Sequence, residues 1–197
     1  MNNLKAKTSH LKVKEILQQQ ALVYIAENKF PDLFNSDRDK AIYGAIELWQ
    51  NYRVFMQDGF WLKGNEKDYK GAYLEPFFVE PKWWAGIYDN KELLGVEYFT
   101  FRGTKMFSGF LHANSREIAQ ELITQLYEAG VKTLDGKLTI LECLHFTNVD
   151  EYDISYREEL GYRAWSWIDE GKDVRGNDYR VSFMKKVRSE WEEQNSD

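Results

Sequence analysis

With 197 residues, 43% of them hydrophobic, 29% charged and 16% aromatic, the chain has the material for one globular domain and is too rich in apolar residues for disorder. A formal charge of −6 opposes generic binding to nucleic acid or anionic membranes, and no stretch nears the roughly 18 to 20 uncharged apolar residues of a membrane helix, so a cytoplasmic protein is expected. The single cysteine, Cys143, has no partner for an internal disulfide, and His10, His112 and His145 are too scattered for a histidine-based metal site; none is expected.

In residues 9–28, Val13, Ile16, Leu17, Ala21, Tyr24 and Ile25 recur at helical spacing, which predicts a long first helix capped at Ser9. Pro31 ends it. Ser36, with Asp39 three residues on, predicts a second helix that places Ile42, Ala45, Ile46 and Trp49 on one face and stops before Asp58-Gly59. Residues 60–84 have no clear period and read as irregular, with a short strand at 77–80. Beyond Pro81, the runs 83–88, 93–101 and 105–112 are separated by turn residues and read as three consecutive antiparallel strands.

Asn114 and Glu117 then form a capping-box-like pair for a helix with Ile118, Ala119, Leu122, Ile123 and Leu126 on one face, closed by Gly130. A strand over 137–145, a short helix from about Glu151 to Leu160-Gly161, and strands over 163–169 and 179–185 complete the chain. The class is α+β: a mixed, mostly antiparallel sheet with helices on both faces and an N-terminal helical segment. Residues 1–80 form the helical part of the domain, 81–187 the sheet core and 188–197 an acidic tail.

Some residues stand out chemically. Glu142 interrupts an apolar strand; if buried, desolvation would raise its pKa and let it accept a proton near neutrality, and otherwise it sits on a solvated or salt-bridged face. Glu97, His112 and His145 also lie in or at the ends of strands. Phe77, Phe78, Trp83 and Trp84 read first as core and second as an aromatic surface for a protein partner, and Trp165 and Trp167 share one strand face.

The order of elements, together with Glu158-Glu159-Leu160-Gly161-Tyr162-Arg163, resembles the GNAT superfamily of acyl-CoA-dependent N-acyltransferases. There a helix ends at a left-handed glycine and the next aromatic enters a strand; the resemblance covers about 83–186. It implies a GNAT-like sheet, split between its fourth and fifth strands to admit acetyl-CoA or another acyl-CoA. The superfamily's cofactor segment has Arg or Gln, two residues, Gly, any residue, then Gly or Ala. Here it falls on Leu111-His112-Ala113-Asn114-Ser115-Arg116-Glu117, which contains no glycine. The implied cofactor contacts are Leu111, Asn114, Ser115, Arg116 and Asn148. The superfamily's tyrosine acid, four residues before the glycine of the helix end, falls on Arg157, with Tyr156 one step earlier and about 100° around the helix. Glu142, Tyr156, Glu97 and His112 are the catalytic candidates.

Two functions follow from the resemblance. One is transfer of an acyl group from acyl-CoA to an amine acceptor of open identity. The other is a non-catalytic GNAT-fold structural or partner-binding protein that has lost acyl-CoA binding, like the acetyltransferase-like internal virion proteins of phages, whose cofactor segment is also poor in glycine. Its setting would be a virion, and in neither case is a nucleic acid or membrane the partner.

Overall fold

The sheet grows from a central meander. β2 (Trp83–Asp89), β3 (Glu92–Arg102) and β4 (Lys105–Ala113) pair antiparallel, in the order their sequence alternation predicts. The turns between them place Asn90 (φ 53°) and Gly103 (φ 55°) in the left-handed region, which these two residue types tolerate. A computed structural model describes residues 10–54, 83–146, 152, 154–172 and 178–187; of Glu142, His145, Trp165 and Trp167 it describes the backbone alone. Ser9, Phe77, Phe78, Asp58-Gly59, Asn148 and the acidic tail lie outside the described residues.

The N-terminal reading needs correction. Lys12–Ile16 is not the start of a helix but an edge strand, β1, paired antiparallel with β2. Val13, Ile16 and Leu17 fit a helical period, yet Lys-Val-Lys also alternates, and the open edge of β2 supplies backbone partners that an isolated helix start lacks. Gly86 permits this contact: a Cβ there would lie 2.8 Å from Leu93 and 3.1 Å from Ile16. Helix α1 (Gln18–Lys29) follows; α2 (Pro31–Ser36) starts with Pro31 in the first turn, where its missing N–H costs nothing. α3 (Arg38–Val54) is capped not by Ser36, whose hydroxyl donates back to Asp32 O, but by Asp37, whose Oδ1 accepts from Lys40 N at 3.2 Å.

α4 (Arg116–Thr133) buries Ala119, Leu122, Ile123, Leu126, Tyr127 and Gly130, an i, i+3, i+4 stripe in which each large apolar side chain contributes about 1.5–3 kcal/mol. Its cap is Ser115, rather than Asn114, through a bond from Ile118 N to Ser115 Oγ. Gly130 does not close the helix. It lies within it, close to Met106 Sδ, and the chain turns only after Thr133 and the C-cap Leu134, through Asp135 (φ 50°) and Gly136 (φ 72°). β5 (Ile140–Phe146), α5 (Ser155–Glu158), β6 (Arg163–Lys172) and β7 (Asp178–Val187) complete a seven-stranded sheet, among the described residues, of order β1-β2-β3-β4-β5-β7-β6. All neighbours are antiparallel except β4 and β5.

Two cores form, one on each face. Ala21, Ile25, Ala45 and Trp49 from α1 and α3 meet Trp84, Val96, Tyr98, Phe107 and Phe110 on one side. Leu122, Ile123 and Leu126 of α4 meet Phe99, Met106, Leu111, Leu141, Tyr156 and Tyr162 on the other. Trp84 is therefore core, with Trp49 at 4.9 Å and Tyr98 at 5.8 Å between ring centroids, while partly buried Trp83 stacks on Phe99.

Candidate active site

Two irregularities in β4 open the sheet. Lys105–Ser108 pair with Ile140–Cys143 of β5, and there the pairing stops; Leu144, His145 and Phe146 continue only with β7, while β4 runs on to Ala113. A parallel pair that diverges after four positions leaves a fork with its apex at Ser108 and Cys143. On the other edge of β4, Val96 faces His112 and Tyr98 faces Gly109, so Glu97 alone opposes Phe110 and Leu111: a β-bulge. The inserted residue resets the alternation, which is why Phe107 and Phe110, three apart, enter the same core. Phe110 takes a φ of 51°, an unusual value for a bulky side chain, at a cost of order 1–3 kcal/mol. Its ring is held by Trp49 at 5.1 Å, Trp84 at 5.9 Å and His112 at 4.9 Å.

A buried ion pair spans the fork. Arg157, in the single turn of α5 beyond β5, reaches Glu97 on β3: Nη2 donates to Oε1 at 3.1 Å, and both side chains are wholly inaccessible. The guanidinium also lies over the rings of Tyr156, at 5.2 Å, and Tyr162, at 5.6 Å. Removing either charge alone would strand the other in the interior, at about 3–5 kcal/mol. Arg157 Nε and Nη1 and the Tyr162 hydroxyl, all buried, make no well-formed hydrogen bond among the described residues, although the guanidinium is near enough to the Tyr162 oxygen to bear on it. Burial is the main influence on the Tyr162 phenol and pushes its pKa well above the ordinary value; the Cys143 thiol adds to this and the Arg157 guanidinium opposes it. Burial works against the Arg157 charge, but the ionisable groups around it, led by Cys143, hold its pKa well above the ordinary value.

The frame of this cluster is the expected helix end. Gly161 (φ 83°) is left-handed, Tyr162 N donates to Arg157 O at 3.1 Å, and Lys186 Nζ of β7 donates to Leu160 O. The structure thus brings together four residues expected to matter, namely Glu97, Leu111, His112 and Tyr156, around the bulge and the fork. His112 and Leu111 are both buried. Glu142 lies near the fork apex by register, opposite Phe107 on β4 and Lys185 on β7. Sequence reading placed Arg157 where an acid was expected but missed its pairing with Glu97; the lone charge of Glu97 within the run Leu93–Phe101 was the available signal.

The head of α4 is engaged with the chain itself. Asn114 Oδ1 accepts from the Tyr24 hydroxyl at 2.6 Å, Ser115 Oγ caps the helix, and Arg116 Nη2 is shared between Ser155 Oγ and Glu159 Oε1. The link from β4 to α4 is only Asn114 and Ser115 long. Tyr152 crosses the mouth of the fork to donate to Ala113 O at 2.7 Å. A cavity of about 510 Å³ beside Asn114 is lined by the carboxylates Glu27 and Glu92 and by Gln19, Gln20 and Tyr24. Glu117 adds a further carboxylate to the first turn. Among the described residues no cluster of ligands suits a metal ion.

No protein-family model matches the sequence, and a comparison with curated proteins yields no match. Solved structures do match. A probable acetyltransferase from Staphylococcus epidermidis superposes with a TM-score of 0.52 at 12% identity, over 90% of this chain and 99% of its own. Spermidine N-acetyltransferase from Vibrio cholerae, solved with CoA and spermine, gives 0.54 at 12% over 93% and 98%. The ribosomal-protein-S18-alanine N-acetyltransferase from Escherichia coli gives 0.52 at 8% over 90% and 93%. Identities this low speak to architecture alone. The strand order, the fork between the fourth and fifth strands and these near full-length superpositions together make this chain a GNAT-fold protein.

Proposed function

We propose that the protein is a GNAT-like N-acyltransferase that moves an acyl group from acyl-CoA to an amine. The observation that carries this reading is the fork: β4 gives up its pairing with β5 after Ser108 and holds Phe110 in a strained conformation beside it. Strain of this kind persists where the surroundings enforce it, as at ligand sites. The buried donors of Arg157 and Tyr162 have no well-formed hydrogen bond among the described residues and fit the polar thioester end of an acyl-CoA. What this chain contributes is a fixed, water-poor site that holds thioester and neutral amine together, so that direct attack becomes effectively unimolecular.

A second reading has its own observation. Asn114, Ser115 and Arg116, the groups expected at the cofactor phosphates, are engaged within the chain, and the carboxylates of Glu27, Glu92 and Glu117 are in that neighbourhood. This favours a GNAT-fold structural or partner-binding protein, for example a virion or accessory protein, that no longer binds acyl-CoA. Calorimetric titration with acetyl-CoA separates the two. Saturable heat at micromolar to millimolar ligand is the expected result; folded protein that gives none is the non-catalytic scaffold.

A further inference from the structure

We propose that Arg157 stabilises the sulfur anion released from the acyl thioester, by its charge and N–H groups, at the position where a tyrosine acid would otherwise donate a proton. This rests on the acyl-transfer reading. The position is defined independently by the chain, since Arg157 stands four residues before the left-handed Gly161, and Tyr156, one step earlier, is packed under the guanidinium. Arg157 reaches from α5, beyond β5, to Glu97 on β3, and so crosses the region where β4 and β5 part. Cys143, the last β5 residue paired with β4, is near enough to bear on the charge of Arg157.

The donor geometry gives the site its chemistry. Nη2 is fixed by Glu97, which orients the guanidinium plane; Nε and Nη1 remain, buried and without a well-formed hydrogen bond among the described residues. Each of these N–H groups can donate singly to an anion or a polarised oxygen, and charge-assisted bonds of this kind are the strong ones. In the step, the amine nitrogen forms a bond to the thioester carbonyl carbon and the C–S bond breaks with its electron pair left on sulfur. The nitrogen sheds its proton to water or a basic side chain. Arg157 holds the resulting thiolate, and water protonates it after release. The guanidinium keeps its own protons throughout, in keeping with its raised pKa.

The test reads the sulfur directly. Free CoA, the product, is titrated while bound to the full-length protein, and thiolate formation is followed by ultraviolet absorbance. The thiol of CoA bound to the wild type is expected to ionise at least tenfold more readily than that of CoA in solution. The Glu97→Gln, Arg157→Gln double variant removes both charges together, leaving no stranded ion, and is expected to abolish the shift; Arg157→Lys alone should keep part of it. Bound CoA that titrates as it does in solution, or a shift that survives in the double variant, overturns the assignment to Arg157 while leaving acyl-CoA binding intact. The wild-type titration decides even if the double variant fails to fold. Absence of CoA binding to folded wild type overturns the acyl-transfer reading and this proposal with it.

Discussion

Tyr162 shows how a single buried group gives the protein a pH signature. Its phenol is held neutral by burial, with a pKa well above the ordinary value, although Arg157 pulls in the other direction. In the unfolded chain the same phenol ionises near pH 10. The folded state therefore retains a proton that the unfolded state has released, so the contribution is fully present below about pH 10 and is lost as the pH rises toward the folded pKa. Tyr162→Phe removes the titration. Urea midpoints of wild type and variant, compared from about pH 8 to about pH 11, are expected to show the wild type losing stability faster on the alkaline side. Parallel curves would mean that the phenol titrates as freely in the folded state as in the unfolded one.

At the scale of elements, what was legible in the sequence was what local pattern decides. The β2–β4 meander, the apolar stripe of α4 and the glycine-ended turn of α5 are written in alternation, 3.6-residue spacing and one left-handed glycine. β1 was not, because Lys12–Ile16 becomes a strand only by finding the edge of β2, more than 60 residues away. The bulge at Phe110 was equally hidden: Phe107 and Phe110 do not alternate, and only the two cores show why. The outer edge of β1 depends on α4. Gln125 accepts from Val13 N at 3.1 Å and donates to Leu11 O at 3.0 Å, a side-chain clamp across 112 and 114 residues. Gln125→Ala should cost about 1–3 kcal/mol for two such bonds. Hydrogen exchange should accelerate at the amides of β1 and leave those of β3 and β4 protected; uniform acceleration would show that β1 opens only with the whole sheet.

For the whole molecule, the two ends of the candidate site differ in kind, and that difference predicts how a ligand is held. The fork end offers a strained strand, an opened sheet and buried donors that have no well-formed hydrogen bond among the described residues. The α4 end offers a helix N-terminus whose Ser115 and Arg116 are bonded to Ile118, Ser155 and Glu159, with Asn114 tied to Tyr24. Recruiting those groups to phosphates means breaking bonds already made, so each new contact there is offset by one lost. On the acyl-transfer reading, affinity then resides in the pantetheine and thioester, with little from the nucleotide. Acetyl-pantetheine is expected to bind within about tenfold of acetyl-CoA, a difference of about 1.4 kcal/mol or less. Competition calorimetry of the two ligands measures this. A nucleotide contribution of a hundredfold or more would show instead that Arg116 leaves Glu159 when ligand arrives, and Glu159→Gln, which weakens that hold, would then tighten acetyl-CoA while leaving acetyl-pantetheine unchanged.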